Sequence, residues 1–470
     1  MTHYLSTRGA DTHKSFTDVL LSGMASDGGL YIPSVFPHID ATKFGAFEGL
    51  SYAQIALQMI KPFVNGAIDD NDLARIIDET YNIDNFDHNA IAPLVQIGPN
   101  AWIQELFHGP TFSFKDYAMQ LLGRLFDYVL EQRGERITIV AATSGDTGSA
   151  AIEACKNCKN IDIFILHPEG RTSDVQRKQM TSVDSENVHN IAMDGNFDDC
   201  QAFVKALFAD RKTADKINLS AVNSINWARI VAQTVYYASA SAALGANDQR
   251  PVSFAVPTGN FGNVYAGWTA KQCGIPLGKL VIGTNRNDII TRFFETGRMQ
   301  VGTVEPSLSP SMDIQVSSNF ERYLCDLMGR DHASLAKMMT SFGSKKRFNI
   351  SAELTQQTQA AFKAYRCSDE DTLDTVKETY AQTGYILDPH TAVALHSASH
   401  AIAKDPATPM VVLSCAHPAK FPEAIKKAIG IEPEMPEKLA EIMDKKEHFT
   451  TLANDYNTVK DFIVTTSGAT

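Results

Sequence analysis

From about residue 101 onward, short apolar runs alternate with segments whose apolar residues recur at helical spacing. A chain written this way builds parallel sheets covered by helices, so the expected class is α/β with doubly wound open sheets. Strands are predicted at 137–143, 161–166, 188–193, 218–222, 252–257, 279–284 and 410–414, the first six each followed by a turn and a helix. A polar stretch ending at Pro251 interrupts the series. It divides the chain into an N-terminal cap region over 1–95, a first α/β domain over 96–250 and a second over 251–470. Within the cap, Asp27-Gly28-Gly29 marks a turn ahead of a short strand. The piece from 297 to 318, rich in Ser, Pro and Gly, is too irregular for a core element, and such loops are often functional. From Glu432 the pattern is charged and helical, which predicts a solvated packing arm.

The 470 residues are ample for two large domains. Lys+Arg 42 against Asp+Glu 54 leaves a net charge of −12, which argues against nucleic-acid or anionic-membrane surfaces and makes any anion site a local one. The N-terminus lacks signal-peptide order and no apolar run is long enough to span a bilayer, so a cytoplasmic protein is expected. Seven scattered cysteines do not form a disulfide framework. Cys155-Lys156-Asn157-Cys158 has no second pair at zinc spacing. His396 and His400 lie four apart on a predicted helix, but no third ligand suggests itself, and no metal is expected.

The stretch His108-Gly109-Pro110-Thr111-Phe112-Ser113-Phe114-Lys115-Asp116-Tyr117 places one lysine among aromatic rings where a turn opens a helix. A helix N-terminus and desolvating rings both favour the neutral amine, the form that attacks a carbonyl to make a Schiff base. Alone, the segment is more often a surface lysine beginning a helix. Thr143-Ser144-Gly145-Asp146-Thr147-Gly148 joins a strand to a helix with hydroxyls and small residues where backbone N–H groups point outward, which makes an anion cradle or a capped turn. Pro257-Thr258-Gly259-Asn260-Phe261-Gly262-Asn263 has the same context, and its glycines let a phosphate approach backbone amides. It lacks the third glycine of a dinucleotide fingerprint, and no Walker A occurs, which disfavours a dehydrogenase or P-loop kinase. Asn223-Ser224-Ile225-Asn226-Trp227-Ala228-Arg229 sets a forked guanidinium at a helix mouth, suited to a carboxylate or phosphate. Ser414-Cys415-Ala416-His417-Pro418-Ala419-Lys420-Phe421 closes the last strand with small polar side chains.

These segments, with Tyr4-Leu5-Ser6-Thr7-Arg8-Gly9 and Asp27-Gly28-Gly29-Leu30-Tyr31, occur in the order found in threonine synthases, and the chain resembles the longer branch of that family from its cap to Phe421. The resemblance implies a pyridoxal 5'-phosphate enzyme of tryptophan-synthase-like fold, with the cofactor cleft between two α/β domains. It implies conversion of O-phosphohomoserine and water to threonine and phosphate by γ-elimination and β-addition of water. By position, Lys115 would hold the cofactor as an internal aldimine, and Gly259, Asn260, Phe261, Gly262 and Asn263 would bind its phosphate. Thr143, Ser144 and Thr147 match the loop that takes the substrate carboxylate, and Asp146 lies close to the ring hydroxyl. Asn223, Ser224 and Arg229 match the positions that hold the substrate phosphate. Cys415 stands where relatives often have Thr facing the pyridine nitrogen, and Asp146 stands where the other branch has Asn. A related lyase or dehydratase acting on a hydroxy or phospho amino acid would use the same cofactor residues, and a metabolite-binding protein could retain the fold. The oligomeric state, monomer or homodimer, stays open.

Overall fold

A computed structural model describes residues 2–143, 145–170 and 172–468. The chain forms two compact units, one of Met1–Val19, Met24–His108 and Ser224–Pro433, the other of Leu20–Gly23, Gly109–Asn223 and Glu434–Thr470.

The first unit is built on a six-stranded sheet in the order Phe362–Arg366, Leu277–Thr284, Val252–Pro257, Met410–Ser414, Ala101–Glu105, Leu94–Gly98. All neighbours run parallel except the last pair. Every residue of Val252–Pro257 and Met410–Ser414 is buried, as expected of parallel strands covered by helices on both faces. The second unit has a five-stranded, wholly parallel sheet in the order Thr450–Ala453, Val188–Asp194, Ile161–Pro168, Ile137–Ala142, Leu219–Ser220. Its central strand Ile161–Pro168 is buried along its whole length. In both units the polar loops at the carboxyl ends of strands carry the sequence motifs, the place where open α/β sheets present ligand-binding groups.

Three expectations are corrected. The chain crosses from the second unit to the first at Asn223 and Ser224 rather than at 250, and the helix Trp227–Ala243 packs in the first unit. Strand Ala101–Glu105, expected in the first α/β domain, ladders beside Met410–Ser414, because an apolar run says that a strand exists but not which sheet accepts it. The C-terminal segment is no solvated arm. Thr450–Ala453 extends the five-stranded sheet, and Leu439, Val459 and Ile463 are fully buried beneath its helices.

The expected cap turn forms, with Tyr31–Pro33 pairing antiparallel to Tyr4–Ser6. Its residues tie the N-terminus down: Ser6 donates to Asp27 at 2.7 Å, while Thr7 and Arg8 donate to Glu321 at 2.7 and 2.8–2.9 Å. The irregular piece after Gly297 is ordered by side chains. Asn285 and Asn287 donate to Asp313 Oδ1 at 2.8 and 3.0 Å, Ser307 donates to the same carboxylate, and Gln315 donates to the Thr303 carbonyl at 3.1 Å.

At the end of Ala101–Glu105, both ring nitrogens of His108 face carboxylates, Asp87 at 2.7 Å and Glu105 at 2.8 Å, and Tyr385 donates to the other Glu105 oxygen at 2.8 Å. Burial alone would lower the imidazole pKa, but the two carboxylates outweigh it and hold it up at about 9. Because the folded value lies above the unfolded one, this contribution is complete below about pH 6.5 and disappears as pH rises through about 9. It is worth about 1–3 kcal/mol, since part of the interaction is screened by solvent at Asp87. His108→Gln is therefore expected to lower the unfolding midpoint clearly near pH 6 and much less above pH 9. A deficit independent of pH would show that the ion cluster is not its source.

Candidate active site

Lys115 is the first residue of helix Lys115–Arg133, which follows a turn closed by Asp116. The Asp116 carboxylate accepts from Thr111 N at 2.8 Å and from Thr111 Oγ1 at 2.7 Å, which fixes the aromatic run ahead of the lysine. Lys115 Nζ lies 3.4 Å from Asp146 Oδ2 and 5.3 Å from the centroid of the Phe114 ring. A carboxylate and a ring face both attract an ammonium. The amine is thus held by partners for its charge, and not only by the desolvating rings that its sequence suggested.

Asp146 opens helix Asp146–Cys155 and accepts from Gln176 Nε2 at 3.2 Å through its other oxygen. Gln176 has no sequence motif of its own and reaches this point from the helix Asp174–Thr181. Thr143 turns inward: its hydroxyl accepts from Gly145 N at 3.2 Å and Gly148 N at 3.1 Å, holding the loop in shape. Thr147 is half-buried in the first turn of the same helix, and Asn223 is exposed at the end of the second unit. Ser144 lies outside the described residues. Cys155 is buried, and Cys158 Sγ lies 3.6 Å from the Ala154 carbonyl.

In the first unit, the loop after Val252–Pro257 leads into helix Gly262–Gln272. Phe261 takes a left-handed conformation at φ 61°, and among the described residues no side chain caps the helix, so its first N–H groups are not taken up by such a cap. The Phe261 ring is buried edge-on against Phe320 at 5.0 Å, leaving its backbone for the loop. A Cβ at Gly259 would stand 2.8 Å from the Ser311 carbonyl, and one at Gly262 would stand 3.2 Å from Asn319 Nδ2. A side chain at Gly259 would collide with backbone and one at Gly262 would press on Asn319, and the resulting cradle suits a phosphate monoester at a helix N-terminus.

The ordered loop after Gly297 supplies the braces that sequence reasoning left unassigned. Ser317 donates to the Gly259 carbonyl at 2.6 Å, Asn319 N donates to the Asn260 carbonyl at 3.0 Å, and Ser318 donates to Asn260 Oδ1 at 3.3 Å. Ser318 also lies 2.9 Å from Ser224 Oγ, bringing Ser224 and Asn260 into one chain of hydroxyl and amide groups. Ser311 N donates to His390 Nε2 at 3.3 Å, and Asp388 holds the other ring nitrogen at 2.9 Å.

Asn263 points into the protein, where the hydroxyls of Tyr236 and Tyr237 donate to its Oδ1 at 2.6 and 2.9 Å. Its Nδ2 lies 3.8 Å from Cys415 Sγ. Asn263 can therefore offer an anion its backbone only. Neighbouring Ser414 is taken by Thr391, which donates to it at 3.0 Å.

Arg229 sits in the first turn of helix Trp227–Ala243 and is fully enclosed, so burial pushes its guanidinium down to about 10. Its Nε and Nη1 have no hydrogen-bond partner among the described residues. A buried cation without an anion is costly, and its position at the positive end of a helix adds to the local demand for negative charge.

The family model described as "Pyridoxal-phosphate dependent enzyme" matches residues 87–416. With the fold and the glycine cradle, this makes the chain a pyridoxal-phosphate dependent enzyme whose cofactor supplies the electron sink. Two further models, "Threonine synthase N terminus" and "Threonine synthase, C-terminal", match residues 3–81 and 391–463. The threonine synthase of Pseudomonas aeruginosa is 49% identical over 461 residues, covering 98% of this chain and 97% of that protein. The solved structure of PLP-bound threonine synthase from Brucella melitensis has a TM-score of 0.96 at 47% identity, covering 100% of both chains. The yeast threonine synthase structure has a TM-score of 0.93 at 37% identity, covering 98% of this chain and 97% of that one. The chain belongs to the threonine synthase family.

Borohydride reduction of the cofactor-loaded protein, followed by peptide mass mapping, is expected to leave the cofactor on the peptide containing Lys115. Lys115→Ala should carry no label and show no turnover, and a label on any other lysine would remove Lys115 from its role.

Proposed function

We propose that this chain converts O-phosphohomoserine and water to threonine and phosphate. The observation that carries the substrate assignment is the buried Arg229, whose Nε and Nη1 have no hydrogen-bond partner among the described residues, which supports a phosphorylated substrate over one bearing only a hydroxyl. Arg229, Ser224 and Asn223 bind the substrate phosphate, the guanidinium giving up little hydration on binding because the fold has already removed it. Thr147 and Ser144 take the substrate carboxylate, and Thr143 keeps their loop in shape. The Gly259–Asn263 backbone would hold the cofactor phosphate, and Cys415 and Asp146 would serve its ring nitrogen and ring hydroxyl.

Lys115 Nζ is the base that would take the proton from the substrate α-carbon and carry protons along the chain as phosphate leaves the γ-carbon. Asp146 keeps that amine in reach. Water then adds at the β-carbon to give the hydroxyl of threonine.

Arg229→Met removes both the phosphate contact and the uncompensated buried charge. A charge-assisted bond of about 1.5–3 kcal/mol corresponds to a KM for O-phosphohomoserine raised roughly 10- to 150-fold. Cofactor affinity should be unchanged, and the substrate-free enzyme should unfold at the same or a higher temperature. An equal loss of cofactor affinity, or an unchanged KM, would place Arg229 elsewhere in the chemistry.

A further inference from the structure

Helix Pro389–Ile402 carries His396 and His400 one turn apart, with their Nε2 atoms 3.4 Å from one another. The folded chain adds two more donors beside them. Cys367 follows strand Phe362–Arg366, and Asp371 lies in the first turn of helix Asp369–Thr383. The Cys367 sulfur, an Asp371 oxygen and a His396 ring nitrogen all lie within 4.8 Å of one another. Among the described residues this is the one cluster of three or more such side chains with metal-ligand proximity.

We propose that Cys367, Asp371, His396 and His400 form a binding site for a divalent transition-metal ion, with zinc the natural occupant. The donor set of one thiolate, one carboxylate and two imidazoles suits a four-coordinate borderline-soft ion rather than calcium or magnesium. Donor atoms around tetrahedral zinc sit roughly 3.3–3.8 Å apart, given zinc–ligand bonds of about 2.0–2.3 Å. The histidine nitrogens already have that spacing, and the other donors reach it through side-chain adjustment.

The surroundings orient these ligands. Asp371 gives Oδ2 to the Ser368 backbone N–H at 2.9 Å and hydroxyl at 2.7 Å, which leaves its second oxygen for an ion. The His400 ring stacks on Tyr365 at 4.9 Å. Cys367 Sγ rests 3.4 Å from Thr372 Oγ1 and 3.5 Å from the Ser368 carbonyl, weak contacts that an ion would replace. Burial disfavours the Cys367 thiolate. A bound cation offsets that cost, and the displaced proton leaves to solvent. His400 is exposed while Cys367 is buried, so the ion enters from the His400 side. Once bound, it ties the strand end to both helices. It thereby stiffens the helix whose first turn holds His390, the partner of Ser311 beside the glycine cradle.

The test is titration of the cofactor-loaded enzyme with Co(II) and Zn(II), followed by calorimetry and by the visible ligand-field bands of cobalt. One ion per chain is expected, with four-coordinate thiolate-containing cobalt bands and a raised unfolding temperature with zinc. Loss of an outer-shell partner alone costs about 10–100-fold in affinity, so His396→Ala and Cys367→Ser should each weaken binding by more than about 100-fold. His400→Ala, at an exposed position, guards against misfolding of the buried variant; it should weaken binding while turnover stays at the wild-type rate. Failure of the wild type to take up a stoichiometric ion, or equal affinity in correctly folded His396→Ala and His400→Ala proteins, would overturn the proposal.

Discussion

A parallel strand covered by helices on both faces has only its carboxyl end on which to present polar groups, and that restriction organises this protein. The fully buried strands Val252–Pro257, Met410–Ser414 and Ile161–Pro168 have no side-chain position free for a ligand along their length. Loops beyond strand ends must do the binding, and they are shaped by close packing. Gly259 meets the Ser311 carbonyl, Asn263 is gripped by two tyrosine hydroxyls, and Thr143 spends its oxygen on two backbone amides. The anion-binding groups left over are backbone N–H groups and a few cations.

Those cations divide by how the fold compensates them. Arg322 is as buried as Arg229, but it donates to the Tyr31 carbonyl at 2.9 Å and the Ile225 carbonyl at 2.6 Å, and lies over the Trp227 ring. It is a structural cation, bonded to the cap and to the residues ahead of helix Trp227–Ala243. Arg229, the third residue of that helix, has no partner on Nε and Nη1 among the described residues. The same burial thus serves two ends, and the difference lies in whether neighbouring carbonyls were supplied. A protein that leaves one buried guanidinium short of partners sacrifices stability for affinity toward an incoming anion.

Much of this was legible in the sequence because the relevant signals are local. Apolar runs fixed most strands to within a residue or two, and the strand-to-helix turns at Gly145 and Gly262 have the punctuation their geometry requires. What stayed hidden was long-range. Ala101–Glu105 reads as a strand without a sheet until its ladder partner is known, and Thr450–Ala453 lies in a charged stretch whose pattern reads as helical. The braces Ser317, Ser318 and Asn319 sit in a piece without periodicity, and Gln176 reaches Asp146 across 30 residues. His396 and His400 showed their helical spacing at once, but Cys367 and Asp371 come to His396 only through the packing of two helices on a strand. The ammonium partners of Lys115 were obscured for the same reason: Asp146 lies 31 residues away.

The reaction itself is the central claim, and isotopically labelled water addresses it most directly. Cofactor-loaded enzyme incubated with O-phosphohomoserine in such water is predicted to release one phosphate per threonine formed, with the label in the threonine hydroxyl. Phosphate released with 2-oxobutanoate in place of threonine, or threonine formed without the label, would contradict the account.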